Sequence, residues 1–203
     1  MKIQQSEALT LRTYPYAESH KIGVFLTRDY GKVRGVAYGA KKPSNRYGSA
    51  LEPLTYIRLT FSKKEHRQLA VIRSCEIIQD FSTEPATWEI SLYLSYFAEL
   101  LNEFSKEQEE SEKLMRLALA VIEASRKVSI DLLARYLELW LLKLEGVLPR
   151  LENKLSPELA KKCEVLLRKH PIQLTDVHLT PGEGRRLETL CSQLVEYYLE
   201  KQL

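Results

Sequence analysis

Residues 21–38, with the sequence KIGVFLTRDYGKVRGVAY, decide how the first part of this chain folds. A first strand is predicted over Lys21–Arg28, where apolar side chains alternate with others at Ile22, Val24 and Leu26. An alternation of two residues is the period of a half-buried strand. Asp29 and Gly31 then predict a tight hairpin, because aspartate bonds readily to nearby backbone and glycine adopts a positive φ at little cost. A second strand is therefore predicted over Lys32–Tyr38.

Strand patterns also occur on both sides of this hairpin. They are predicted over Ala8–Tyr14, Tyr56–Phe61 and Leu69–Ile78, with Ser62–Arg67 as a charged turn between the last two. The first of these segments has one face with Leu9, Leu11 and Thr13 and another with Thr10, Arg12 and Tyr14. Gly35 lies on a face of small residues, as expected where a strand bends around a barrel. Five short antiparallel strands are typical of a closed barrel with the oligonucleotide-binding (OB) architecture.

Beyond residue 80 the apolar period lengthens from that of strands to that of helices. A broad stripe at four-residue steps contains Trp88, Leu92, Tyr96, Leu100 and Phe104. Its helix is predicted to begin near Pro85 or Thr87. The change of period places a domain boundary between Asp80 and Pro85. The sequence therefore predicts an α+β protein, with a five-stranded OB barrel in residues 1–80 and an all-α domain in residues 81–203.

Four further helices are predicted after the first. They cover Leu114–Ile122, Ile130–Glu145, Ser156–Lys169 and the residues that follow Pro181. Ser156 is a suitable cap for the third of these because Pro157 takes the first helical position. The final helix is predicted to direct four leucines inward: Leu187, Leu190, Leu194 and Leu199. Glu107–Glu112, which precedes the second helix, is predicted to be an exposed acidic run.

The charge is divided unevenly between the two predicted domains. Residues 1–80 carry 14 Lys plus Arg and 7 Asp plus Glu, a balance of +7, whereas residues 81–203 carry 16 and 20, a balance of −4; the two sum to the net +3 of the chain. A clustered positive field gains free energy by releasing the counterions of a polyanion. The first domain is therefore expected to bind a polyanion.

The segment Arg28–Arg46 concentrates this positive charge. Its basic residues are Arg28, Lys32, Arg34, Lys41, Lys42 and Arg46, against Asp29 as the single acid. Such cations on a barrel face and its adjoining loop can follow a phosphate backbone, and Tyr30, Tyr38 and Tyr47 offer rings on which bases stack. Two other interpretations remain open: a solvated loop whose charges protect sheet edges, and tyrosines that pack in the core.

Residues that would support enzymatic or metal chemistry are scattered. The cysteines are Cys75, Cys163 and Cys191, and the histidines are His20, His66, His170 and His178. Their spacing matches neither a metal clip nor a nucleophile with its base. Apolar runs fall short of the roughly 20 residues that span a bilayer, and residues 1–13 lack the apolar core of a secretory signal. We therefore expect a cytoplasmic protein without enzymatic activity, cofactor or metal.

Several segments form a specific set in the predicted barrel: ALTLRTYPYAESHKI (8–22), FLTRDYGK (25–32), GVAYGAKKP (35–43), NRYG (45–48) and LEPL (51–54). Together they resemble the opening domain of RecO recombination mediators. LELWLLKLEGVLP (137–149) is similar to a helix in the second domain of that family and to the glycine-to-proline segment that follows it. Many members carry a four-cysteine zinc module just after that proline, whereas residues 150–158 contain no cysteine. The resemblance thus implies a member that lacks the zinc module.

The resemblance implies a non-enzymatic bacterial protein, found in the cytoplasm with the nucleoid. Such a protein binds single- and double-stranded DNA, anneals complementary strands, binds RecR and helps RecA to displace single-stranded DNA-binding protein (SSB). Matching segments place the DNA-binding role on Arg12, Lys32, Arg34, Lys41, Lys42 and Arg46. Arg28 and Tyr47 of the same basic segment are added as candidates.

Some members of the family also hold the acidic tail of SSB in the helical domain. A tail that ends in an aromatic residue needs an apolar groove with cations at its rim. Arg126, Lys127 and Arg135 flank apolar helix faces that could provide this groove, although they also fit ordinary solvated positions. Two other functions remain open for the whole chain: an adaptor whose basic loop docks on an acidic protein, and an RNA-binding OB module.

Overall fold

The computed structural model describes residues 2–64, 67–81 and 87–200. Five strands come first: β1 (Lys2–Tyr16), β2 (His20–Thr27), β3 (Gly31–Ala37), β4 (Tyr56–Lys63) and β5 (Ala70–Gln79). Five α-helices follow: α1 (Trp88–Phe104), α2 (Glu112–Ala124), α3 (Ile130–Leu144), α4 (Pro157–Leu166) and α5 (Pro181–Glu200). Short 3-10 helices cover Gly48–Leu51, Leu151–Asn153 and Pro171–Gln173. The predicted α+β class is confirmed.

The strands close into a barrel in the order β1-β2-β3-β5-β4. β1 is long enough to pair with two neighbours, so its first half lies against β4 and its second half against β2. An irregularity between Thr10 and Arg12 separates the two halves of the β1–β2 register, as a bulge does where a strand bends around a barrel. β3 and β5 pair in parallel, and the other pairs are antiparallel. This closed five-stranded ring is the predicted OB architecture.

The barrel interior is filled by large apolar side chains. Its core includes Phe25, Val33, Ile57, Leu59, Phe61 and Ile72, all less than 8% exposed. A Cβ at Gly35 would lie 2.5 Å from Cδ1 of Ile72, so this strand position requires the smallest side chain. Thr10 also points inward, where its hydroxyl donates to the carbonyl oxygen of Ala50 at 2.8 Å.

The outer face of the barrel is partly covered by α1, which packs against β1 and β2. Leu9, Leu11, Val24 and Leu26 are therefore buried although they lie outside the interior cluster. The simple alternation predicted for Ala8–Tyr14 fails over its first four residues, because both faces of the strand are covered there. It holds again beyond the bulge, where Tyr14 is exposed.

The β2–β3 hairpin is confirmed, but its contacts differ from those expected for Asp29. The Asp29 carboxylate accepts a hydrogen bond from Ser6 Oγ of the neighbouring strand β1 at 2.6 Å, rather than from nearby backbone. Within the turn, Thr27 Oγ1 accepts from the backbone N–H of Tyr30 at 3.1 Å. Gly31 has φ +65, and a Cβ there would overlap the carbonyl oxygens of Lys106 and Glu109.

Replacing Gly31 by alanine is expected to lower the free energy of unfolding by about 1–3 kcal/mol, because it adds a Cβ to a left-handed residue against packed backbone. Gly48 is the matched control in the same unit, since it also has positive φ (+53) but open space around it. Gly48→Ala should cost less than Gly31→Ala in urea unfolding. Equal losses would show that the contact with residues 106 and 109 contributes nothing.

Two helices, α1 and α4, begin where the capping pattern predicted, whereas α2 begins at Glu112, two residues before its predicted start. Thr87 Oγ1 accepts from the N–H of Ile90, and Ser156 Oγ accepts from the N–H of Leu159. In α5, Leu187 and Leu190 are buried as predicted, whereas Leu194 and Leu199 are only partly buried. The buried stripe of α5 continues instead through Cys191, Val195 and Tyr198. None of the helices within the described ranges is long and apolar enough to span a membrane.

Two compact units divide the chain, residues 1–116 and 117–203. The first therefore contains α1 and the start of α2 together with the barrel. In the second, α3 is buried along most of its length and packs against α5. The domain boundary predicted between Asp80 and Pro85 falls mainly on residues 82–86, and the turn predicted over Ser62–Arg67 includes residues 65 and 66; both stretches lie outside the described residues, as do Pro85 and His66.

Candidate nucleic-acid interface

Aromatic side chains lie exposed on the outer face of the barrel, at the end that carries the β1–β2 turn. We call Tyr14, Tyr16, His20 and Tyr38 the tyrosine face. Tyr16 pairs with His20 across β1 and β2, and the His20 ring meets the Tyr38 ring edge to face at 4.9 Å between centroids. The three tyrosines are 39%, 44% and 47% exposed. Rings so exposed can stack on flat ligands.

A cation accompanies these rings on β1. The Arg12 guanidinium lies 4.9 Å from the centroid of the Tyr14 ring, and its side chain is exposed. A guanidinium stacked on an aromatic ring loses little conformational freedom when it meets an anion, because the ring already restricts it. Arg12 thus offers a positioned charge beside the tyrosine face.

The basic loop, residues 39–47, is tied to the same end of the barrel. The backbone N–H of Lys41 donates to the carbonyl oxygen of Ser19 at 3.1 Å, and Lys41 Nζ donates to that of Ala17 at 3.0 Å. The N–H of Gly39 donates to His20 Nδ1 at 3.0 Å. These bonds hold the loop beside the tyrosine face, with Lys41, Lys42 and Arg46 exposed.

Tyr47 anchors the far end of this loop and is not an exposed ring. Its side chain is 2% exposed, and its hydroxyl donates to the carbonyl oxygen of Ile72 at 3.2 Å. The predicted stacking role is therefore wrong for Tyr47, because a base cannot reach its face. Its ring instead supports the Arg46 guanidinium, 5.1 Å from the ring centroid.

Three of the predicted DNA-binding cations form ion pairs or hydrogen bonds with other residues of the same unit. Arg28 reaches Glu7 at 2.7 Å and Glu112 at 2.8 Å. Arg34 reaches Glu107 at 2.6 Å. Lys32 Nζ donates to the carbonyl oxygen of Asn102 at 2.6 Å, and burial lowers the pKa of this lysine. These contacts hold residues 102–112 against the barrel. Arg28 and Lys32 are partly buried by them, whereas the Arg34 side chain stays 53% exposed, so its DNA-binding role stays a prediction.

Two of these partners, Glu107 and Glu112, come from the acidic run, for which only exposure was predicted. Glu107 pairs with Gly31 in an isolated β-bridge, and Ser111 donates its N–H to the carbonyl oxygen of Arg28 at 2.9 Å. The run is thus a structural strap across the β2–β3 hairpin. Opposite charges in the two segments were visible in the sequence, but their separation of more than 70 residues hid the pairing.

Sequence reasoning also missed the two most exposed rings of β1 as site residues. Tyr14 and Tyr16 follow Arg12 at steps of two, so the strand period places all three on one face. That pattern was the available signal. What it could not predict is the approach of Tyr38 from β3, which depends on the closure of the β1–β2–β3 sheet.

The predicted tail-binding cations of the second unit are not alike. Arg126 and Lys127 are exposed, in the segment between α2 and α3. Arg135 is buried at 7% exposure and pairs with Glu138 at 2.9 Å within α3. Its guanidinium is therefore committed to a buried carboxylate and does not stand at the rim of a groove.

The three cysteines are buried and free of disulfides. Burial raises the pKa of Cys75 to about 12 and that of Cys163 to about 11, and it raises the pKa of Cys191 as well. Protonated, buried thiols are poor nucleophiles. Among the residues that the structure describes, His, Cys, Asp and Glu form no group that could hold a metal ion.

Both parts of the chain match models of a known protein family. Residues 1–81 match the family model of the N-terminal part of recombination protein O, and residues 85–159 match that of its C-terminal part. The chain is similar to proteins named DNA repair protein RecO from Koribacter versatilis (34% identity over 149 residues, 73% of this chain and 61% of that protein), Syntrophus aciditrophicus (34% over 151 residues, 73% and 58%) and Pelotomaculum thermopropionicum (32% over 153 residues, 75% and 59%). It spans about three fifths of the length of these curated relatives.

Proposed function

This chain belongs to the RecO family of recombination proteins, and from that premise we propose that it is a DNA-binding mediator in DNA repair. It binds single- and double-stranded DNA and promotes the annealing of complementary strands. With RecR, it helps RecA to load onto DNA that SSB covers. The observation that carries the proposal is the tyrosine face, with Arg12 and the basic loop beside it on an OB barrel.

The cations of this surface account for affinity toward the phosphate backbone. Arg12, Lys41, Lys42 and Arg46 are exposed at one end of the barrel. Each phosphate that they neutralise releases counterions, which favours binding whatever the sequence. Neutralised strands also repel each other less, so pairing of two complementary strands becomes easier. This role requires no covalent step, catalytic residue or cofactor.

The exposed tyrosines add contacts to unpaired bases. Stacking on an aromatic side chain contributes about 1–3 kcal/mol per base and tolerates any sequence. Tyr14, Tyr16 and Tyr38 suit a single strand because their rings are accessible while their backbones are fixed in strands or at a strand end. We therefore expect the tyrosines to favour single strands and the basic loop to serve both single and double strands.

Helix α1 and the acidic run limit the surface that the DNA occupies. They cover the part of the outer face that holds Val24 and Leu26, and Glu107 of the run pairs with Arg34, while the end with the tyrosine face stays open. The bound strand accordingly crosses the barrel near the β1–β2 turn and the basic loop. The second unit is assigned to protein partners, with Arg126 and Lys127 as the exposed cations that an acidic SSB tail would meet.

Replacing Tyr38 by alanine is expected to weaken binding of a single-stranded oligonucleotide about tenfold, since one stacking contact is lost. Tyr38→Phe keeps the ring and should bind nearly as tightly as the unchanged chain. Tyr197→Ala is the matched control, because Tyr197 is 54% exposed but lies on α5 of the second unit. Fluorescence anisotropy with a labelled oligonucleotide measures all three.

The same titrations separate the proposal from its alternatives. An adaptor that never meets nucleic acid would give no anisotropy change with the unchanged chain. An RNA-binding module would release the labelled DNA when a matched RNA competitor is added, and the RNA concentration needed would be far lower than that of a DNA competitor. Either result would overturn the proposed function. If Tyr38→Ala and the unchanged chain bind the oligonucleotide equally well, the stacking role proposed for Tyr38 is overturned.

A further inference from the structure

A cavity lies at the end of the barrel opposite the tyrosine face. It has a volume of about 420 Å³ and lies between the β2–β3 hairpin, the start of β1 and the end of β4. Its lining includes Gln4, Tyr30, Phe61, Lys63, Lys64 and Gln108. We call this cavity the barrel mouth. Cavities of this size in the mouths of barrels are common places for small ligands.

The floor of the barrel mouth is aromatic. The Tyr30 ring meets the Phe61 ring edge to face, with 5.5 Å between centroids and an interplanar angle of 86°. Phe61 belongs to the interior core at 2% exposure, whereas Tyr30 is only partly buried against it. The Tyr30 ring is thus held in place by Phe61 on its core side and is accessible from the cavity, as a stacking surface requires.

The rim offers amide groups that both donate and accept hydrogen bonds. Gln4 is fixed by its pairing with Phe61 across β1 and β4. Gln108 reaches the cavity from the acidic run, where its backbone has φ +62. Side-chain amides match the edges of nucleobases, because each edge presents donors and acceptors side by side.

Lysines give this cavity a positive balance. Lys63 and Lys64 stand at the end of β4, and Lys63 Nζ lies 3.9 Å from a carboxylate oxygen of Glu107. Lys64 is exposed. Asp29 is the acid of the lining, and its carboxylate is turned to Ser6 Oγ at 2.6 Å. A phosphate group is therefore favoured at the lysine side of the mouth.

We propose that the barrel mouth binds one unpaired nucleotide, with its base on Tyr30, its base edge toward Gln4 and Gln108, and its phosphate at Lys63 and Lys64. The inference rests on the proposed function only in taking nucleic acid as the ligand. The mouth is separate from the tyrosine face: Lys32 of β3 also lines the mouth, and Tyr38, just past the end of that strand, is six residues further on, roughly 20 Å at the rise of a strand. One barrel would thus hold nucleic acid at two points.

The test uses a single nucleotide, which is too short to bridge the two sites. The probe is 2-aminopurine deoxyribonucleoside 5′-monophosphate, whose fluorescence falls when its base stacks on a ring. Titration with the full chain is expected to give saturable quenching. Lys63→Ala with Lys64→Ala should bind the probe about tenfold more weakly, because the charged hydrogen bonds to the phosphate are lost.

Two further variants make the result specific. Lys42→Ala with Arg46→Ala removes two cations from the basic loop and should leave probe binding within about twofold, while it weakens oligonucleotide binding. Lys63→Arg with Lys64→Arg keeps the charge and should retain the probe. Circular dichroism and thermal unfolding check that each variant is folded.

The proposal is overturned if the unchanged chain does not quench the probe, or if the Lys63 and Lys64 alanine variant binds it as tightly as the unchanged chain. It is also overturned if the basic-loop variant is the one that loses the probe, since binding would then occur at the tyrosine face. Failure of the proposed function looks different: the unchanged chain would bind no oligonucleotide, whatever the probe does.

Discussion

Replacing Lys41, Lys42 and Arg46 together by alanine is expected to weaken binding of single-stranded DNA by about 100-fold at 0.1 M salt. All three side chains are exposed on the basic loop beside the tyrosine face. Each neutralised phosphate of a single strand releases about 0.7 counterion, which at that salt concentration corresponds to about fivefold in affinity per contact. Three lost contacts also flatten the slope of log affinity against log salt by about 2.

This prediction is checked by anisotropy titrations over a series of salt concentrations. The matched control is Lys161→Ala, Arg168→Ala and Lys169→Ala, which removes the same charge from exposed positions on and just after α4. If the control loses as much affinity as the loop variant, general charge rather than the basic loop explains binding. Unchanged affinity and salt slope in the loop variant would remove the loop from the interface.

The same loop variant also tests the mediator role. The unchanged chain is expected to accelerate annealing of complementary oligonucleotides coated with SSB, and the loop variant to lose most of that acceleration. The physical reason is that pairing is opposed by phosphate repulsion, which the loop cations reduce. Acceleration that survives in the loop variant would mean that annealing depends on another surface.

Replacing Glu138 by alanine is expected to lower the free energy of unfolding by about 3–5 kcal/mol, the largest stability effect foreseen for a single change. Glu138 is fully buried, and its carboxylate lies 2.9 Å from the Arg135 guanidinium, which is 7% exposed. Without Glu138 the guanidinium loses its nearest countercharge in a poorly hydrated site. Another carboxylate neighbour, Glu188, is 4.0 Å away and mostly exposed.

Urea unfolding followed by circular dichroism measures this loss. Glu164→Ala is the matched control, because it breaks an exposed pair with Arg168 and should cost no more than about 0.5 kcal/mol. Replacing both buried partners by apolar residues, Arg135→Met with Glu138→Leu, should recover most of the lost stability, since no buried charge is left. A loss in Glu138→Ala as small as that of the control would contradict the account.

Local patterns explain why so much of the fold could be predicted. The period of two identified β2 and β3, and the capping residues Thr87 and Ser156 identified the first turns of α1 and α4. Both signals act between residues close in the chain, so they need no knowledge of tertiary structure. The alternation failed over Ala8–Leu11 because α1 covers the outer face there, a contact between distant segments.

The candidate site was predicted less completely, for the same reason. Sequence reasoning identified the basic segment but could not separate its members, because charge is a property of a residue and availability is a property of its surroundings. Arg46 and Lys42 remain exposed, whereas Arg34 is paired with Glu107. Tyr47 and Tyr38 have the same chemistry, yet one is buried under the loop and the other is exposed.

The sequence by itself determined the order of strands and helices, the OB barrel and the concentration of positive charge in its first part, because periodicity, capping and composition are written along the chain. Tertiary structure alone decided which charges are paired within the chain. Glu112 meets Arg28 across 84 residues and Glu107 meets Arg34 across 73. Only closure of the barrel and packing of the acidic run bring such pairs within the few ångströms at which they neutralise each other.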